Sequence, residues 1–169
     1  MTLSSQKTTL LDILEPIEVL DTKYLFPQFK FAHMGEKALF LPSKNKVLGF
    51  VSKSYKVVQN KDVFLPIYET LSEKYGESNI NTTVHCFNDV KHYVSFEVLD
   101  RPLELVKGDL LNPTINVQNS YDGSMRFSLN LGIQRLICGN GLKAFESHIS
   151  FQKKHTQGLE IPFELVFDS

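Results

Sequence analysis

The segment from Asn112 to Leu142, NPTINVQNSYDGSMRFSLNLGIQRLICGNGL, constrains the fold more than any other part of the chain. Thr114 to Gln118 form a β-prone run after Pro113, and proline suits the first position of a strand because it cannot donate to the ladder. Asp122-Gly123 is a turn signal, since a type I′ turn needs positive φ at both central residues. The return run alternates: Met125, Phe127, Leu129 and Leu131 point one way, and Arg126, Ser128 and Asn130 the other. On the outgoing strand, Ile115 and Val117 share a face, with Asn116 and Gln118 opposite. The pattern predicts a hairpin with one apolar, buried face and one polar face.

Beyond the hairpin, Gly132 to Cys138 run into Gly139-Asn140-Gly141. Two glycines around an asparagine give positive-φ freedom and close backbone approach. Exposed amides in such a turn form an anion nest, so Gly139, Asn140 and Gly141 are candidate anion-binding residues. A helix from Leu142 to Ile149 is expected to start there. Arg135 lies in an otherwise apolar run. It must be paired, reach solvent, or clamp an oxyanion beside the glycine turn.

Upstream, residues 1–9 are rich in Ser and Thr and are expected to be a flexible lead. Residues 10–20 suggest a short helix ended before Pro16. Phe26 to Phe31 suggest an edge strand. Ala38 to Leu41 and Val47 to Val51 read as strands of a hairpin, and Tyr55 to Val58 as another short strand. Asn60 or Asp62 then caps a helix with Val63, Phe64, Ile67, Tyr68, Leu71 and Tyr75 at helical spacing, ended by Gly76. Pro66 is expected in the first turn, where proline is tolerated. Ile80 to Phe87 and Val90 to Leu99 read as a second hairpin around Asn88-Asp89. Residues 10–169 are therefore expected to form a single α+β domain. Its core is a curved antiparallel sheet of about six or more strands built from hairpins, with helices after the first and last hairpins.

Composition narrows the function. The net charge is −1, so no global field draws the chain to nucleic acid or membrane. The distribution is uneven, however. Lys107, Arg126, Arg135, Lys143, Lys153 and Lys154 face only Asp109, Asp122 and Glu146 between residues 105 and 157, a local excess of +3. No run approaches the roughly 18 apolar residues of a membrane span, and no signal peptide is visible at the N-terminus. Cys86 and Cys138 stand outside any Cys-x-x-Cys spacing and read as reduced cytosolic thiols. His85, Cys86 and His92 are the nearest approach to a ligand set. His85 and Cys86 are adjacent on a strand and point to opposite faces, which splits it, so no metal is expected. No catalytic constellation emerges, and no cofactor fingerprint is present.

The runs LGFVSKSYKVVQNKDVF (Leu48 to Phe64), Gly108 to Pro113, NSYDGS (Asn119 to Ser124), RLICGNGL (Arg135 to Leu142) and KKHT (Lys153 to Thr156) occur in that order. In order and spacing they resemble the phage- and plasmid-related family called domain of unknown function 932, over about Leu48 to Thr156. The resemblance implies a mobile-element setting and names no catalytic residue.

The expectation from residues and resemblance together is a non-enzymatic, cytoplasmic nucleic-acid-binding protein acting on single-stranded DNA. Arg126, Arg135, Lys143, Lys153 and Lys154 would contact phosphates, Asn116 and Gln118 would supply polar contacts, and Tyr121 or Tyr93 would stack on bases. The alternative is a protein-binding module, such as a phage-encoded inhibitor or accessory factor acting on a host protein, because thirteen Phe and six Tyr also suit a protein interface. The oligomeric state stays open.

Overall fold

The computed structural model describes residues 8–22, 37–100, 102–104, 110–136 and 143–155. Three strands, β1 (Glu18–Asp21), β2 (Lys37–Leu41) and β3 (Lys46–Val51), form a small antiparallel sheet. One long helix follows, α1 (Asn60–Tyr75). Then come β4 (Ile80–Phe87), β5 (Lys91–Val98), β6 (Leu103–Glu104), β7 (Leu110–Ser120), β8 (Phe127–Leu136) and β9 (Lys143–Lys153). They build a six-stranded antiparallel sheet in the order β4-β5-β7-β8-β9, with β6 on β7. The expected α+β class and antiparallel hairpins hold, and the strands divide between two sheets.

Alternation decides which face is covered. Val84, Val94, Phe96, Ile115, Val117, Phe127, Leu129 and Leu131 pack in one cluster with Val63, Phe64, Ile67 and Leu71 of α1. Each such fully buried side chain contributes about 1.5–3 kcal/mol. The helix runs as its periodicity predicts and ends at Gly76, whose φ of 86° favours glycine. Its start differs from expectation. Gln59 is the N-cap and no side chain caps the helix. The Asn60 amide instead donates to the Ile13 carbonyl at 2.8 Å. Pro66 lies inside the helix, past the first turn. Leu11–Ile13 is a single 3₁₀ turn, and of Tyr55 to Val58 only Tyr55 makes an isolated β-bridge. Phe26 to Phe31 lie outside the described residues.

The two hairpins close differently. Asn88 (φ 54°) and Asp89 (φ 64°) both lie in the left-handed region, and the Val90 amide donates to the Phe87 carbonyl at 3.0 Å. That is the tight mirror-image turn that Asn-Asp favours. At the β7–β8 hairpin only Gly123 has positive φ, at 73°, and Asp122 does not. A wider loop replaces the two-residue turn. The Ser120 hydroxyl spans it, accepting from the Met125 amide and donating to the Met125 carbonyl, both at 3.1 Å. The reason is tertiary. Tyr121, first residue of the loop, is drawn into a second core with Ile17 and with Leu39, Leu41 and Val51 of the small sheet.

The expected helix from Leu142 to Ile149 is corrected by β9. Lys143–Lys153 pairs along β8 from Leu136↔Lys143 to Phe127↔Lys153, with one register shift at Leu131/Gly132. Ile149 and Phe151 pair with Leu131 and Leu129, and the ladder satisfies the outer edge of β8, which a helix would leave unpaired. The glycines at 139 and 141 therefore fall in the connection between two strands rather than at a helix start. That connection, and Cys138 with it, lies outside the described residues.

Candidate nucleic-acid interface

Helix α1 covers one face of the large sheet and leaves the other uncovered among the described residues. The registers place Thr83, His85, Tyr93, Ser95, Asn116, Gln118, Asn130 and Gln134 on that open face. They line a shallow depression of about 350 Å³. Asn116 and Gln118 thus lie where the alternation put them. Asn130 is held by its neighbours, donating to Ser128 Oγ at 3.2 Å and accepting from Ser150 Oγ at 2.6 Å. Farther along the same face, the buried Glu97 carboxylate accepts from Asn81 and Asn112 amides at 2.9 and 2.8 Å.

Two further depressions follow, each sharing a lining residue with the one before. One is lined by Lys46, Leu48, Phe87, Val90, Lys91, Tyr93 and Asp122, and shares Tyr93 with the open face. The other is lined by Phe50, Ser52, Ser54, Tyr55, Asp122, Ser124, Arg126, Lys154 and His155, and shares Asp122 with the second. The three depressions are thus linked in a row by shared lining residues, Tyr93 and Asp122, from the open sheet face to the small sheet, and this row is termed the groove. Phe87, 55% exposed, meets Tyr93 edge-on at 5.7 Å. Phe50 is a third partly exposed ring. Lys91, Arg126 and Lys154 supply charge along the path, whereas Lys46 is already paired with Asp89 at 2.9 Å. Lys44 also binds Asp89, and this pair of lysines holds the Asp89 carboxyl below its usual range.

The structure divides the cations expected to act together. Arg126, Lys153 and Lys154 sit at the loop end of β8 and β9. Arg135 and Lys143 belong to the other end, where their side chains lie outside the described residues, as does the Gly139–Gly141 nest. At about 3.3 Å per residue, the length of β8 separates the two groups by roughly 30 Å. Tyr121 leaves the set of base-stacking candidates because it is only 2% exposed. Burial pushes its phenol pKa up, and its hydroxyl makes no hydrogen bond of ordinary geometry among the described residues. It packs edge-on against His92 at 5.0 Å. His85 and Cys86 do diverge to opposite faces, with Cys86 opposite His92. Burial raises the Cys86 thiol pKa, which disfavours a reactive thiolate.

Sequence reasoning missed Phe87, Lys91, Phe50 and His155. Phe87 was detectable: it occupies a polar-face position after Asn81, Thr83 and His85, so alternation alone exposes it. Phe50 and His155 were not, because only the docking of the small sheet on the β7–β8 loop brings them together.

No described helix is long and apolar enough to cross a membrane. A family model described as Domain of unknown function (DUF932) matches residues 47–165, a span that contains every residue of the groove except Lys46. No curated protein and no solved structure matches the chain significantly.

Proposed function

We propose, for a chain that belongs to the DUF932 family, a non-enzymatic role in binding single-stranded nucleic acid. One observation carries this reading: partly exposed rings and cations line the same depressions, Tyr93 and Phe87 with Lys91 in one and Phe50 with Arg126 and Lys154 in the next. Aromatic platforms stack any base, and cations beside them track the backbone. The amides of Asn116, Gln118 and Gln134 offer donors and acceptors to base edges. The setting that fits is mobile-element DNA metabolism in the cytoplasm. The second reading is a protein-binding module acting on a host protein, which would use the same exposed Phe87 and Phe50 as anchors.

Phe87→Ala tests the proposal. Stacking of one base on one ring is worth about 1–3 kcal/mol, so affinity for a single-stranded oligonucleotide should fall about 5- to 150-fold. Since Phe87 is 55% exposed, the melting temperature should barely move. Fluorescence anisotropy and thermal melting on the same preparation give both values. Unchanged affinity would remove the ring from the interface.

A further inference from the structure

Three separated runs of the sequence meet at one corner of the groove: Ser52 to Tyr55, Asp122 to Arg126, and Lys154-His155. The cavity between them measures about 670 Å³. At its wall stands His155, 4% exposed, and neither of its ring nitrogens makes a hydrogen bond of ordinary geometry among the described residues, although the Lys56 backbone lies near enough to favour its proton. An imidazole always carries at least one N–H, and a buried donor without a well-made bond is costly, so an anion reaching the ring would stabilise it. The ring is also held in place. It stacks on Tyr55 at 5.4 Å with an interplanar angle of 1°, and the Lys56 amide donates to the His155 carbonyl at 3.3 Å. Tyr55 is fixed in turn by its hydroxyl, which donates to the Ser120 carbonyl at 3.1 Å. It is fixed as well by Gly123, where an added Cβ would come within 2.8 Å of the Tyr55 ring.

The other walls are donors. Arg126 and Lys154 are exposed, and no ion pair engages either one among the described residues. The Ser52 and Ser54 hydroxyls lie 3.1 Å apart, and Ser124 adds a third. The one carboxylate present, Asp122, is partly occupied: its Oδ1 accepts from the Ser124 amide at 2.9 Å. Two cations and three hydroxyls against one carboxylate suit a small, multiply charged oxyanion rather than a neutral ligand.

We propose that this corner is a phosphate-binding site, in which Arg126, Lys154 and the Ser52, Ser54 and Ser124 hydroxyls hold a phosphoryl group against the His155 ring. The phosphoryl group is either the terminal phosphate of a bound strand or a free phosphate. The first source rests on the nucleic-acid reading above, and the second does not.

The test has two arms. Inorganic phosphate is titrated into the protein while the His155 ring signals are followed by NMR. Separately, oligonucleotides of one sequence, with and without a 5′-phosphate or a 3′-phosphate, are compared by anisotropy. Saturable movement of the His155 signals is expected, and Arg126→Ala should weaken it about tenfold or more, as loss of a charge-assisted contact predicts. A phosphorylated end should bind about tenfold tighter than a hydroxyl end if the strand is the source. Equal binding of all strands, with the His155 response intact, assigns the site to free phosphate. A His155 response without binding of any strand keeps the site and removes the nucleic-acid reading. No His155 response and no gain from a terminal phosphate overturn the site, whether or not strands bind.

Discussion

Replacing Asn119 with alanine is expected to lower stability by about 3–5 kcal/mol. Asn119 is fully buried at the end of β7. Its amide donates to the Val58 carbonyl and to Asn60 Oδ1, both at 2.9 Å. Asn60, also fully buried, passes the connection on to the Ile13 carbonyl. One chain of bonds thus ties the large sheet, the start of α1 and the N-terminal segment together. Truncation leaves two buried acceptors unpaired, at about 1–3 kcal/mol each, and opens a small cavity besides. Because the two asparagines share a bond, their losses should not add. The Asn60→Ala, Asn119→Ala double variant should be about 0.5–3 kcal/mol more stable than the sum of the singles implies. Urea unfolding of the four proteins measures this. A cost below about 1 kcal/mol for Asn119→Ala, strictly additive with Asn60→Ala, would show that the network does not hold these elements.

Acid is expected to weaken the fold between about pH 6.5 and 4, with His92 the main cause. Burial pushes the His92 pKa down to about 4, with Lys44 adding to the effect and Asp89 opposing it. The unfolded chain takes up the proton near 6.5, the folded chain only near 4. The stabilisation is therefore complete above pH 6.5 and is lost as pH falls through that window, after which the slope levels. At 1.36 kcal/mol per unit, the loss is on the order of 3 kcal/mol. Burial also lowers the His155 pKa, so that residue adds a contribution of the same sign. His92→Phe keeps a ring against Tyr121 and removes the titration. Its stability should be nearly flat where the parent falls, apart from the His155 share. An equally steep fall in the variant would place the acid sensitivity elsewhere.

Local pattern revealed most of the sheet and little of what lies between the sheets. Alternation in Thr114–Gln118 and Phe127–Leu131 gave the correct faces because the side-chain period of a strand does not depend on distant contacts. The positions of Asn116 and Gln118 followed directly. The Asp122-Gly123 dipeptide signalled a turn, but its type depended on burial of Tyr121 against β2 and β3, a long-range contact that no local signal encodes. The run after Gly141 was read as a helix because glycines before a mixed-polarity segment resemble a helix start. The partner that makes it a strand, β8, lies across the connection. The separation of the cations has a related reason. Residues near in sequence were summed as one patch, whereas an antiparallel pair places Arg126 and Arg135 at opposite ends of one strand. The corner at His155 was carried by motifs visible in the sequence, yet only tertiary docking shows that they share a cavity.

Binding of a single-stranded oligonucleotide across a salt series tests the central claim most directly. The three groove cations, Lys91, Arg126 and Lys154, at about 0.7 per phosphate, predict that log affinity falls with log salt at a slope near −2. Measurable binding at about 50 mM salt with that slope, reduced toward about −1 in a Lys91→Ala, Arg126→Ala variant, is the expected result. No binding at that salt concentration, or binding whose slope is indifferent to both substitutions, would contradict the groove as a nucleic-acid interface.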